Sequence, residues 1–136
     1  MARILVAEDD PSVRQFVLTA LELKGHEVMA AEDGGLAAEL LEEEGGRFDL
    51  LLSDIKMPVM DGIALALSTA AAFPEMTIVL MTGFADQRER AHGLTELIYD
   101  VIPKPFTLAE LMDKVDDALN GVPVEVVSLA RQSLRA

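Results

Sequence analysis

Two apolar runs of this chain end in acid. Ile4-Leu5-Val6-Ala7 passes directly into Glu8-Asp9-Asp10, and Phe48 with Leu50-Leu51-Leu52 passes into Ser53 and Asp54. Carboxylates are hard oxygen ligands, and magnesium takes one or two of them together with waters and phosphate oxygens. A carboxylate is also a nucleophile that forms an aspartyl-phosphate. A phosphoryl group so held needs neutralising charge from a cation, a lysine or both. Pro103-Lys104-Pro105 supplies a lysine, and Thr82 a hydroxyl that donates to a phosphoryl oxygen. Singly, each has a plainer reading. An Asp after a strand is most often a helix cap, and Asp10 before Pro11 reads as only that. Thr82 fits a turn closure, and Lys104 an exposed charge on a stiff loop. Together they fall at the ends of four different strands, which chance explains poorly.

The elements that must position them alternate. Short apolar runs read as strands buried on both faces, here at 3–7, 27–31, 48–53, 77–81 and 99–102. Asp10 caps a first helix with Pro11 at its first position; Val13, Phe16, Val17, Ala20 and Leu21 make its apolar face, and Gly25 ends it. A second helix at 33–44 turns Leu36, Ala37, Leu40 and Leu41 inward and stops at Gly45-Gly46. Asp61-Gly62 opens a third over about 63–72. A fourth, polar and thin in apolar contacts, is expected at 86–97 as the most mobile. Thr107 with Glu110 forms a capping box for the fifth, lined by Leu108, Leu111, Met112, Val115 and Leu119. Five β-α units predict a parallel sheet covered on both faces. The functional crevice then lies beyond the strands' carboxyl ends, where Glu8, Asp9, Asp54, Thr82 and Lys104 collect.

The 136 residues carry a net charge of −13 and no cysteine. Disulfides, zinc thiolates and thiol catalysis are excluded. No apolar run approaches the roughly 18 to 20 residues of a membrane span, and the four after Arg3 are too few for a signal peptide, so a soluble cytoplasmic protein with no membrane partner is expected. No basic footprint for nucleic acid is visible. Glu42-Glu43-Glu44 reads as a solvated helix end, and His26 and His92 as isolated surface or satisfied residues. One domain is expected over 1–120, then a tail at 121–136 in which Val126, Val127, Leu129 and Leu134 allow a short helix.

The segments ILVAEDDPSVR, LLLSDIKMPVMDG, IVLMTGFAD and IPKPF, in this order over nearly all of 2–120, resemble the receiver domain of bacterial two-component response regulators. The resemblance implies a CheY-like, flavodoxin-like α/β fold: a doubly wound five-stranded parallel sheet, (βα)5, in strand order 2-1-3-4-5. It implies Asp54 as phosphoacceptor, and Glu8 and Asp9 as the acidic pair that holds Mg2+, with Asp9 the direct ligand. The spacing to Arg14 favours this pair over Asp9-Asp10. It further implies the backbone carbonyl of Lys56 as a main-chain metal ligand, Thr82 as switch hydroxyl and Lys104 as the partner of the phosphoryl group. One departure stands out. The family's aromatic switch position, three before the lysine, holds Val101. Tyr99 lies two residues earlier, where strand parity points it to the same face. Thr82 is still expected to move toward the phosphate, with the following loop and the helix at 86–97 relaying the change. In that family, side chains at the positions of Lys56 and Phe84 gate the hydrolytic water, so the resemblance implies slow dephosphorylation with a bulky Phe84.

The expected function is that of a single-domain response regulator, phosphorylated by a histidine kinase or histidine phosphotransferase. Its output would run through protein contacts over the fourth helix, fifth strand and fifth helix. The chain looks most like short receivers of the CpdR type, phosphorylation-controlled protease adaptors, which makes protease machinery a candidate downstream partner. A phosphorelay shuttle or phosphate sink fits equally well, and the oligomer expected is a monomer or a phosphorylation-linked homodimer. A phosphorylation-independent binding module fits poorly with the full set of site residues. A phosphatase with an aspartate nucleophile carries a second Asp two residues on, where Lys56 stands, so only self-phosphorylation and dephosphorylation are expected, not enzyme turnover.

Overall fold

The structure, a computed structural model, describes residues 1–83, 90–91, 93–94 and 96–122. Phe84, His92, half of the expected helix at 86–97 and the tail from Pro123 lie outside the described residues. The elements are β1 (Arg3–Ala7), α1 (Pro11–Leu23), β2 (Glu27–Ala31), α2 (Gly34–Glu43), β3 (Leu50–Asp54), α3 (Gly62–Ala72), β4 (Thr77–Thr82), β5 (Asp100–Pro103) and α4 (Leu108–Leu119). All pairings are parallel, in the order β2-β1-β3-β4-β5. This is the expected doubly wound sheet.

The pleat sends alternate side chains to opposite faces, and both faces are covered, which is why residues 4–7, 50–52 and 78–81 are apolar without interruption. Leu5, Ala7, Leu51, Ile78 and Leu80 pack with α2 and α3. Ile4, Val6, Leu50, Leu52, Val79, Met81 and Ile102 pack with α1 and α4. Each described helix opens on a side-chain cap. Asp10 accepts from Ser12 and Val13 N–H, Asp33 from Leu36 and Asp61 from Ala64; Thr107 and Glu110 close the expected box.

The helical faces are narrower than their apolar arcs. Phe16 is 43%, Leu36 39% and Leu108 51% exposed, whereas Val17, Ala37, Leu111 and Ala118 are buried. A flat sheet covers a limited stripe of each helix, so residues at the margin of the arc stay in water. Phe16 rests against Phe106 with ring centroids 6.3 Å apart. His26 is satisfied: its Nδ1 accepts from Ala2 N–H at 3.1 Å.

Tyr99 departs from the parity expectation. Val101 packs with the α2/α3 layer, but Tyr99 packs with the opposite layer, and its hydroxyl donates to the Val122 carbonyl. Alternation holds only inside a strand; β5 begins at Asp100, and Tyr99 sits in the bend before it. Tyr99 therefore does not stand in for an aromatic at 101.

Val59, in the loop after β3, has φ of 70° and is 86% exposed. The left-handed region costs a side-chain-bearing residue about 1–2 kcal/mol, most for a β-branched one, and Asn tolerates it. Val59→Asn forfeits little burial and is expected to stabilise the protein by about 1 kcal/mol. Urea unfolding checks this; a lower midpoint refutes it.

Candidate functional site

The register of β1 and β3 pairs Ala7 with Ser53, so Glu8 and Asp54 leave neighbouring strand ends side by side. Both are buried, Glu8 fully and Asp54 to 6% exposure. One oxygen of Asp54 accepts from Ile55 N–H at 2.9 Å, and Ser53 Oγ donates to the Asp54 carbonyl at 2.8 Å. Glu8 Oε1 accepts from Asp10 N–H at 3.2 Å, and Glu8 N–H donates to the Ala31 carbonyl at 3.1 Å. Asp9 is exposed on the turn, and carboxylate oxygens of Glu8, Asp9 and Asp54 lie within 4.8 Å of one another.

Lys104 arrives from the end of β5. Its backbone N–H donates to the Thr82 carbonyl at 2.7 Å. Its Nζ lies 2.9 Å from Glu8 Oε2 and 3.1 Å from Asp54 Oδ2. Thr82 is itself fully buried at the end of β4. Lys56 is exposed, two residues past Asp54 in the loop to α3. The structure thus brings Glu8, Asp9, Asp54 and Lys104 into one cluster and joins Thr82 to it through the Lys104 backbone.

One ammonium meets two of the cluster's three carboxylates, those of Glu8 and Asp54. Burial raises the Glu8 carboxyl; the Lys104 hydrogen bond opposes this, and the Asp54 charge adds to it. Burial likewise raises Asp54 against the pull of Lys104. Burial alone would lower Lys104, but its bond to Glu8 and the charges of Asp54 and Glu8 hold it above the ordinary lysine value. With all four groups ionised the cluster keeps two uncompensated negative charges, the charge of one divalent cation.

Two contributors escaped the sequence reading. In the sequence, Gly62 stands out only as part of a helix-opening Asp-Gly. It donates to the Ile55 carbonyl at 2.7 Å, and a Cβ there would stand 2.0 Å from the Asp54 carbonyl oxygen. That neighbour is backbone and cannot swing aside. Gly62→Ala is expected to cost about 1–3 kcal/mol and to displace Asp54, read as a lower urea midpoint with amide shifts at 54 and 55; wild-type values refute it. Arg14 was noted for spacing alone, yet its Nη1 donates to the Glu8 carbonyl at 2.9 Å. Beside the cluster, Val13, Phe16, Gly83, Lys104, Pro105 and Phe106 line an open cavity of about 510 Å³.

Comparison with known proteins agrees with this geometry. The family model for the response regulator receiver domain matches residues 4–116. The response regulator receiver protein CpdR of Brucella abortus (strain 2308) is 40% identical over 119 residues, covering 88% of this chain and 98% of CpdR. The sensor kinase CckA of the same organism is 32% identical over 118 residues, 87% of this chain but 12% of CckA. A response regulator receiver domain protein from Clostridium thermocellum superposes with a TM-score of 0.80 at 26% identity, covering 88% of this chain and 95% of that one.

Proposed function

Since the chain belongs to the response regulator receiver domain family, we propose that Asp54 accepts a phosphoryl group in a Mg2+-dependent reaction and that the phosphorylated protein signals through altered protein contacts. The observation that carries this reading is the pairing of buried Asp54 with Lys104 in a cluster two positive charges short of neutrality. Hard carboxylate oxygens at this spacing suit magnesium. Glu8, Asp9 and Asp54, with the Lys56 carbonyl, would hold the ion, which would supply neutralising charge to the phosphoryl oxygens.

The donor is a phosphohistidine of a histidine kinase or phosphotransferase. An Asp54 oxygen attacks phosphorus as the P–N bond breaks, and the departing imidazole nitrogen takes a proton from water. Lys104 then exchanges its contact with Asp54 for one with the phosphoryl group, and the Thr82 hydroxyl donates to a phosphoryl oxygen. Turnover is limited to the protein's own phosphorylation and dephosphorylation. Similarity to CpdR along 98% of that protein favours a short receiver whose output is a protein partner, with protease machinery a candidate. Similarity to a segment of a sensor kinase favours a phosphorelay shuttle as the second reading.

The deciding experiment is incubation with acetyl phosphate and MgCl2, then with acetyl phosphate and EDTA, followed by peptide mass spectrometry. One phosphoryl group on the peptide containing Asp54, present only with magnesium, is expected. No gain, or a gain elsewhere, refutes the proposal.

A further inference from the structure

Arg14 stands where helix chemistry gives it no reason to be. It lies in the first turn of α1, its N–H bonded to the Asp10 carbonyl at 2.9 Å. A cation there opposes the positive end of the helix macrodipole. The free amides of that turn are already served, since Asp10 Oδ1 accepts from Ser12 at 2.8 Å and Val13 at 3.2 Å. The guanidinium instead reaches back over the β1–α1 turn. Nη1 donates to the carbonyl oxygens of Glu8 at 2.9 Å and Asp9 at 3.5 Å.

Those carbonyls belong to the two residues whose side chains meet Asp54 in the acidic cluster. Glu8 is also held by Ala31, Asp10 and Lys104. Asp9 is exposed on the turn, and among the described residues its hydrogen bond comes from Arg14. We propose that Arg14 is a positioning residue that clamps the Glu8–Asp9 backbone and so presets the Asp9 carboxylate for a divalent cation. This rests on the reading of Glu8, Asp9 and Asp54 as a magnesium site. Groups that orient metal ligands without touching the metal typically carry 10- to 100-fold in affinity; one clamp on a short turn is expected at about tenfold.

The sign of the effect separates this role from simple charge. Arg14→Met removes a cation near the cluster, so a charge effect alone tightens Mg2+ binding, whereas loss of the clamp weakens it. Arg14→Lys keeps the charge but puts it on a flexible stem in place of the rigid, planar guanidinium, so a charge effect alone leaves affinity unchanged. Isothermal titration of the full chain with MgCl2 is the test, with Asp9→Ala as reference for the site and urea unfolding in EDTA as a check on folding. Both Arg14 variants are expected to bind Mg2+ about tenfold more weakly, and their acetyl phosphate labelling to recover at saturating Mg2+. Should Arg14→Met fail to fold, Arg14→Lys decides alone. Wild-type or tighter binding by the folded variants overturns the clamp while leaving the magnesium site standing. Wild-type protein with no Asp9-dependent binding overturns both.

Discussion

Asp54→Asn is expected to take up no phosphoryl group from acetyl phosphate and magnesium, and in metal-free buffer to unfold at a higher urea concentration than the wild type. The first effect follows from removing the only nucleophilic oxygen facing Lys104 among the carboxylates that β3 presents. The second follows from linkage. Burial raises the Asp54 carboxyl above its ordinary value of 3.8 despite Lys104, so the folded state prefers a neutral group here. An amide is that neutral group, and its oxygen still accepts from Ile55 N–H.

The direction with pH is fixed by the same shift. A raised carboxyl binds more protons in the folded than in the unfolded state, so stability falls as pH rises. The contribution is complete below the ordinary values, 3.8 for Asp54 and 4.5 for Glu8, and is lost as pH rises through the raised native values. The advantage of Asp54→Asn should therefore be absent at low pH, grow on raising the pH and then level off. Added Mg2+ should reverse the ranking, because an ion that binds the folded wild type more tightly than the variant stabilises it more by mass action. Mass spectrometry and urea unfolding at several pH values, with EDTA and with MgCl2, check these points. A wild type that outlasts the variant in EDTA at neutral pH refutes the electrostatic account; phosphate on the variant refutes the assignment of the nucleophile.

Much of this site was legible because the sheet enforces it. An apolar run that ends in acid must end at a strand terminus, and parallel strands put their termini at one edge, so Glu8, Asp9, Asp54, Thr82 and Lys104 converge by topology alone. Helix starts were legible for a similar reason: Asp10, Asp33, Asp61 and Thr107 satisfy amides that have no other partner. What escaped depends on contacts that no period encodes. Gly62 is required by the Asp54 carbonyl arriving from another element, and a glycine after an aspartate reads as a turn wherever it stands. The parity expectation for Tyr99 extends a strand's alternation one residue beyond β5. Phe16, Leu36 and Leu108 fell outside the core because periodicity shows which face is apolar and not how much of it a sheet covers.

Lys104→Met should be the most destabilising change at the site. Lys104 is the cation that meets both Glu8 and Asp54, and Glu8 has no exposure with which to recruit water instead. Removing one partner of a buried ionic cluster typically costs about 3–5 kcal/mol, because the remaining charges stay desolvated and unpaired. Methionine keeps most of the lysine's apolar stem, so lost packing adds little. The penalty is conditional. Protonating Glu8 and Asp54 removes the charge that Lys104 offset, so the deficit should shrink as pH falls. Magnesium should shrink it at neutral pH by supplying positive charge to the same oxygens. The backbone bond from residue 104 to Thr82 survives the substitution, so the ladder between β4 and β5 is not what fails. Urea unfolding of wild type and Lys104→Met with EDTA at neutral and acid pH, then with MgCl2 at neutral pH, measures all three effects. A deficit of the same size in every condition would mean that Lys104 acts through packing and not through charge.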